Sequence, residues 1–183
     1  MRISKGYWIW GKFDESSTKE LTRLKSQVDN VLQGPTFDVH LTLSGPIKKM
    51  DKRIEDLFYG LKDQISKIEI QVVNYGYKNK YYESLFIEIL KSKKLTKLKN
   101  MFDEVFKLES RHFSPHISLF YGKEKESKKN FVISKLPKAS KKIYLNKISL
   151  VKVDEEIELW KIIHQIEIVR GMKKIVVLTN SPQ

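Results

Sequence analysis

The order of secondary structure predicted for the first half of the chain recurs in the second half. Apolar periodicity and turn residues in the first half predict the order strand, helix, strand, helix, strand, at 7–13, 14–32, 37–43, 51–65 and 67–77. The second half repeats this order at 81–90, 94–107, 113–121, 123–134 and 142–152. The fourth of these second-half segments is lysine-rich and is predicted as a helix or a loop. The pattern favours two structural copies of one unit.

A nearly constant offset relates equivalent positions of the two halves. His40 and His116 stand 76 residues apart, and Ile68 and Ile143 stand 75 apart. A fixed period of this kind is typical of an internal repeat, although two unrelated α+β segments can resemble each other by chance.

We expect the two copies to form one domain, because no linker rich in Pro, Gly or Ser separates them. The predicted domain covers residues 1–170, with repeat halves at about 5–77 and 80–152 and a closing strand at 158–169. Residues 171–183 are predicted as a C-terminal tail or an added strand. Strands and helices mixed in this order indicate an α+β fold.

Composition narrows the class of protein further. Of 183 residues, 40% are hydrophobic, which is enough for a packed core, and the absence of cysteine excludes a disulfide scaffold and a cysteine nucleophile. The net charge of +13 suits a phosphate-bearing ligand, although a lysine-rich composition alone gives the same charge. The apolar stretch in the first twelve residues is too short for a secretory signal, so we expect none, and no uninterrupted apolar run reaches roughly 18 residues. We therefore expect a soluble, cytoplasmic monomer that does not bind membranes.

Each half contains the same short motif, His40-Leu41-Thr42 in the first and His116-Ile117-Ser118 in the second. On a strand, residues two positions apart project from the same face, so each histidine shares a face with a hydroxyl. Strict alternation also places Phe120 on the face of the second motif. One such motif is ordinary decoration of a strand, but two at the same register of a repeat predict a shared site.

Two imidazoles and two hydroxyls lining one cleft are suited to phosphodiester cleavage. A neutral imidazole can take a proton from attacking water, while an imidazolium gives a proton to the leaving oxygen. Thr42 and Ser118 are placed to donate hydrogen bonds to the non-bridging oxygens, where charge develops. Because no carboxylate cluster stands beside the histidines, we predict a reaction that needs neither a metal nor another cofactor.

The two remaining histidines are predicted to lie outside this site. His112 stands four residues before His116, a spacing that suits metal ligands on a helix. Pro115 biases Ser114 away from helix, so His112 is predicted as a loop residue. His164 lies in the last strand without a partner motif and is predicted as structural.

At these residues the sequence resembles the 2H phosphoesterase superfamily, and within it the plant and yeast type of 2′,3′-cyclic nucleotide phosphodiesterase. The resemblance covers most of the chain and is strongest at 7–10, 37–42, 82–89, 114–121 and 148–168. It implies a bilobal, pseudo-twofold α+β fold, in which two antiparallel-sheet lobes with outer helices enclose a central cleft.

The resemblance also implies roles for individual residues. His40 and His116 match the catalytic pair, and the hydroxyls of the two motifs match the phosphate ligands. Trp10 matches an aromatic residue that stacks near the nucleobase, and Tyr121 matches an aromatic residue lining the site. Trp10, which stands beside Gly11 at a strand end, is equally compatible with a packing role.

The implied activity is hydrolysis of a small cyclic phosphodiester to a ribose monophosphate. The expected substrate is a nucleoside 2′,3′-cyclic phosphate or an ADP-ribose cyclic phosphate. A first alternative is a related phosphodiesterase that acts on 2′,5′-oligoadenylate, on RNA ends or on cyclic-nucleotide immune signals. A second alternative is a non-catalytic RNA-binding module, which would have no need of two proton-transfer groups.

Overall fold

The structure, a computed structural model, describes residues 5–168 and contains the elements of both halves in matching order. The strands are β1 Gly6–Phe13, β2 Leu41–Ile47, β3 Ile68–Tyr77, β4 Leu85–Ile89, β5 His116–Phe120, β6 Lys142–Val153 and β7 Lys161–Glu167. The helices are α1 Glu15–Asp29, α2 Lys52–Gly60, α3 Lys93–Val105 and α4 Glu126–Lys135. The first half therefore reads β1-α1-β2-α2-β3 and the second β4-α3-β5-α4-β6, with β7 added. This α+β architecture confirms the predicted fold class.

The strands form antiparallel sheets joined into one circuit. In the first lobe the order is β2-β1-β6-β7, and in the second it is β5-β4-β3. The long strand β6 connects the lobes on one side, because it pairs with β1 and also, through its first residues, with β3. On the other side β2 meets β5 at the single register pair Leu41–Ile117. This short contact joins the middle residues of the two His-x-Thr/Ser motifs and so brings the motifs together.

The two longest helices cover the same side of the sheet junction. α1 is capped by Asp14, whose carboxylate accepts from the Ser17 amide at 3.0 Å, and the helix packs against β5 and β1. α3 is capped by Ser92, whose hydroxyl accepts from the Leu95 amide at 3.2 Å, and the helix packs against β2 and β3. Each helix thus contacts the motif strand of the other half. Their apolar faces bury the main core, which includes Leu21, Leu24, Val28, Leu95, Leu98 and Phe102.

Two motif-bearing segments differ in extent from the sequence prediction. β2 begins at Leu41 rather than at residue 37, and β5 begins at His116 rather than at residue 113. Residues 37–40 belong to no strand, whereas the carbonyl oxygen of Pro115 still accepts from the amide of Ile89, at the end of β4, at 3.1 Å. Alternating apolar residues report which side of the chain is buried but not whether another strand lies alongside.

No helix within residues 5–168 has the length and apolar character needed to cross a membrane. The predicted boundaries of the repeat halves stay a prediction. The predicted tail or added strand at 171–183 lies outside the described residues.

Candidate active site

All six residues predicted from the sequence for one site line a single cavity of about 270 Å³. They are His40, Thr42, His116, Ser118, Trp10 and Tyr121. The cavity opens on the side of the sheet junction opposite α1 and α3, because the intervening residues Leu41 and Ile117 belong to the core. The juxtaposition of the two motifs therefore follows from strand alternation and from the meeting of β2 with β5.

Each histidine ring is held by a hydrogen bond to the backbone carbonyl two residues before it. Nδ1 of His40 lies 2.6 Å from the carbonyl oxygen of Asp38, and Nδ1 of His116 lies 2.9 Å from that of Ser114. A carbonyl oxygen only accepts, so in each ring Nδ1 carries the proton and donates it. Nε2 of each neutral ring is then an acceptor available to a ligand in the cavity.

A β-bulge follows the hydroxyl residue of each motif. On β2, Thr42 and Ser44 lie opposite the consecutive residues Trp10 and Ile9, which leaves Leu43 as the extra residue. On β5 the same irregularity occurs at the equivalent register, where Ser118 and Phe120 lie opposite Phe86 and Leu85. Bulges are common beside active sites because they redirect side chains.

The bulge on β5 corrects the prediction that Phe120 shares the face of the second motif. Leu119 and Phe120 both pack in the main core, although they are consecutive. The alternation resumes one residue later, and Tyr121 instead of Phe120 lines the cavity. The extra residue of the bulge therefore places the predicted aromatic residue in the site.

The histidine of each motif is covered by an aromatic ring from the adjacent strand. Trp10 stacks on His40 with ring centroids 3.6 Å apart and planes 8° from parallel. At the equivalent position of the second half, Phe86 lies 5.2 Å from the ring of His116. Trp10 thus lines the cavity as predicted, but one face of its indole is occupied by His40. Its packing role is evident, whereas contact with a nucleobase stays a prediction.

The two histidines differ in their electrostatic surroundings. Burial, with a smaller contribution from the charges of Lys12 and His116, lowers the pKa of His40 to about 3. Burial also lowers the pKa of His116; the carboxylate of Glu83 opposes that shift, whereas Lys78 and Lys80 add to it. His40 is therefore neutral over the physiological range, while His116 lies beside a carboxylate that favours its protonated form.

The two predicted hydroxyl ligands are not equivalent either. Ser118 Oγ donates to the carbonyl oxygen of Tyr82 at 3.2 Å, so its proton already has an acceptor. Thr42 makes no side-chain hydrogen bond to any other residue in the 5–168 portion. Burial raises the pKa of Tyr121 well above its usual range, and its phenol is neutral. Thr42 is the hydroxyl with the greater freedom to donate to a bound phosphate.

The cavity is also lined by residues that the motif did not indicate. Most are aromatic or charged: Trp8, Lys80, Tyr81, Tyr82, Glu83, Arg111 and Trp160. Several come from the segment between β3 and β4, which the sequence predicted as the start of a strand and which forms a short 3₁₀ turn. The residues of this turn lie outside regular strands and carry no periodic signal, so sequence reasoning had no means of placing them. Trp8 is different, because it stands two residues before Trp10 on β1 and the two-residue period could have placed it on the same face.

The two remaining histidines lie outside the cavity. His112 is an exposed residue between α3 and β5, as predicted for a loop residue. Nδ1 of His164 lies 3.1 Å from the hydroxyl of Tyr59, so this ring connects β7 to α2. Within residues 5–168 no group of three or more His, Asp or Glu side chains is arranged to hold a metal ion.

Comparison with solved structures identifies related folds at low sequence identity. LigT of E. coli in complex with 3′-AMP has a TM-score of 0.61 at 12% identity, over 91% of this chain and 99% of LigT. A structure described as a phosphoesterase has a TM-score of 0.58 at 11% identity, over 91% and 100%. TT0787 of Thermus thermophilus has a TM-score of 0.56 at 12% identity, over 94% and 100%. E. coli LigT has also been solved with ATP and with NADP+.

No protein-family model matches the sequence, and no curated protein matches it. The similarity to solved structures covers nearly the whole length of both partners, so it concerns the complete arrangement of the sheets and helices. The chain therefore has the same overall fold as E. coli LigT.

Proposed function

We propose that this protein is a 2H phosphoesterase that hydrolyses a cyclic phosphodiester by acid–base catalysis between His40 and His116. The observation that carries the proposal is the matched pair of rings, each with Nδ1 bound to a backbone carbonyl and Nε2 available in one cavity. This arrangement provides two proton-transfer groups on either side of a bound phosphate. A module that only binds RNA has no use for such a pair.

The burial of His40 and the carboxylate beside His116 are the basis on which we assign the two roles. His40, with its pKa lowered to about 3, is the base: its Nε2 takes a proton from water as the water oxygen attacks phosphorus. His116 is the acid: the bound phosphate and Glu83 favour its imidazolium, which protonates the ribose oxygen as the phosphorus–oxygen bond breaks. The products are a ribose monophosphate and a free hydroxyl. Exchange of protons with solvent then restores both rings.

The hydroxyls of the two motifs are proposed to bind the non-bridging oxygens of the phosphate. Thr42 donates its free hydroxyl directly. Ser118 does so after rotating away from the carbonyl of Tyr82, to which it donates in the unliganded protein. Each donor then stabilises charge that develops in the transition state.

A nucleotide is the proposed ligand class, with a nucleoside 2′,3′-cyclic phosphate or an ADP-ribose cyclic phosphate as the preferred substrate. The cavity of about 270 Å³ is near the lower end of the range for small-molecule sites, roughly 300–1,000 Å³. Its aromatic walls suit a base and its histidines suit a phosphate. LigT, which shares the fold, has been solved with 3′-AMP, ATP and NADP+. We further propose that the chain acts as a cytoplasmic monomer.

The proposal is tested by a hydrolysis panel in the presence of EDTA. The panel contains nucleoside 2′,3′-cyclic phosphates, ADP-ribose cyclic phosphate, 2′,5′-oligoadenylate, RNA with a cyclic phosphate end, and cyclic oligonucleotides. We expect the cyclic mononucleotide or ADP-ribose substrate to be hydrolysed fastest, with no loss of rate in EDTA. Preference for an oligonucleotide would instead support the alternative substrates. Loss of activity in EDTA, restored by zinc or manganese, would refute the metal-independent mechanism. His112 would then have to be reconsidered as a metal ligand.

The pH dependence tests the assigned roles. We expect kcat/KM to rise and then fall with pH, with the rising limb below pH 6.5, the ordinary pKa of an imidazole, because burial lowers the pKa of His40. The falling limb follows deprotonation of His116. A bound phosphate stabilises the imidazolium, so the falling limb of kcat lies at higher pH than that of kcat/KM. Both limbs belong to the coupled pair. A rising limb of kcat/KM at or above 6.5 would contradict the assignment of His40 as base.

A further inference from the structure

Positive charge beside the cavity is greater on the side of His116 than on the side of His40, where Lys12 is paired with Asp38 at 3.3 Å. Lys78 and Lys80 are close enough to lower the pKa of His116, and Arg111 lines the same cavity. With the 76-residue offset between the halves, the position equivalent to Arg111 near the first motif is Pro35. The pseudo-twofold site is therefore asymmetric, because the second half adds a guanidinium that the first half lacks.

The carboxylate on this side does not neutralise all of that charge. Glu83 pairs with both Lys78 and Lys80, the latter at 3.4 Å. Arg111 is exposed and makes no hydrogen bond or ion pair with any residue in the part of the chain that the structure describes. Lys80 and Arg111 line the cavity, and Lys78 acts on His116 from outside it. These three cations against one carboxylate leave a net positive charge on this side, and the guanidinium of Arg111 is available to a ligand.

The loop that presents Arg111 is anchored in the interior. The hydroxyl of its neighbour Ser110 accepts from Lys99 Nζ at 3.3 Å, and Lys99 forms a buried ion pair with Asp103 on α3. Asp103 also accepts from Ser44, the residue after the bulge on β2. The backbone beside Arg111 is thus tied to the same helix that supports the first motif, so the point from which the Arg111 side chain reaches the cavity is constrained.

We propose that Arg111, assisted by Lys80, forms a second phosphate subsite, which binds a phosphate of the substrate other than the one that is cleaved. A guanidinium binds phosphate through two parallel hydrogen bonds, and a cation free of internal partners has none to give up on binding. The second phosphate is either the 5′-phosphate of a mononucleotide or the next phosphodiester of an oligonucleotide. This inference rests on the proposed function, because it takes the histidine pair as the site of the cleaved phosphate.

The test measures binding, so that it does not depend on turnover. Dissociation constants are determined by calorimetry for a nucleoside 3′-monophosphate, the matching 3′,5′-bisphosphate, and a dinucleotide with a 3′-phosphate, all at one ionic strength. We expect the second phosphate to tighten binding about tenfold in at least one of the two larger ligands, as is typical for a hydrogen bond to a charged group. Which ligand gains affinity identifies the source of the phosphate.

The variant Arg111→Gln should lose most of this gain in affinity. The gain is measured, in each protein, as the dissociation constant of the 3′-monophosphate divided by that of the larger ligand that binds more tightly. The control Arg53→Gln removes the same charge from an exposed position on α2 and should keep the full ratio. Equal affinities for all three ligands in the unmodified protein, or an unchanged ratio in Arg111→Gln, would overturn the subsite. Turnover of cyclic nucleotides by the same preparation is scored separately. Turnover without the affinity gain refutes only the subsite, and the gain without turnover refutes only the proposed activity.

Discussion

Replacing His40 or His116 by alanine is expected to lower kcat by about 10²–10⁴-fold, because each ring performs one proton transfer in the proposed reaction. KM should change much less, since Thr42, Ser118 and the aromatic walls still bind the substrate. The measurement is steady-state hydrolysis of the best substrate from the panel, with circular dichroism to verify the fold. The control His112→Ala removes an exposed imidazole that lies outside the cavity and should retain the full rate. Near-normal kcat in both active-site variants would refute the proposed mechanism.

The same two variants separate the acid from the base. A phosphodiester with a p-nitrophenolate leaving group needs no proton on the departing oxygen, so it bypasses the acid. We expect this substrate to restore much of the rate in His116→Ala but not in His40→Ala, which still lacks the group that activates water. The reverse pattern of rescue would exchange the two roles. The double variant should have a kcat only slightly lower than that of the less active single variant, because the two rings act as a unit.

The fold was predictable because two independent features of the sequence indicate the repeat: the apolar periodicity of its segments and the two matched motifs. Apolar periodicity located the helices, as at α3, where Leu95, Leu98 and Phe102 form one buried stripe. The matched motifs then fixed the register of the two halves. Strand ends were less predictable: residues 37–40 alternate like a strand, yet Phe37 stacks on Tyr121 with ring centroids 3.9 Å apart and does not join the main core.

The site was predictable to the extent that it lies on strands. The histidines and hydroxyls follow the two-residue period and were located by it. The surrounding charges were not, because Lys80, Glu83 and Arg111 lie outside regular strands and reach the cavity through the course of the loops. The bulges also escaped prediction, since an extra residue in one strand is visible only once its partner is known. Electrostatic asymmetry between two similar motifs is thus a property of tertiary structure.

The buried pair Lys99–Asp103 is the second place where a single substitution should have a large effect. The two residues lie one turn apart on α3, and their side chains are 6% and 10% exposed. Asp103 also accepts from Ser44, and Lys99 also donates to Ser110, so the pair joins β2 to the loop before the second motif. Buried ion pairs are costly to break, because removing one partner leaves the other charge without compensation in a medium of low polarity.

We therefore expect Asp103→Ala to lower the free energy of unfolding by about 3–5 kcal/mol. For a chain of this size that corresponds to a fall in Tm of roughly 6–20 °C, measured by thermal or urea denaturation. The matched control is Asp56→Ala, which breaks the exposed pair Lys52–Asp56 of the same helical spacing and should leave the Tm nearly unchanged. Replacing both buried partners, as Lys99→Met with Asp103→Leu, should recover much of the lost stability, since no unpaired charge remains. If Asp103→Ala is no more destabilising than Asp56→Ala, the pair is not buried as described, and the anchoring of the Arg111 loop through Ser110 fails with it.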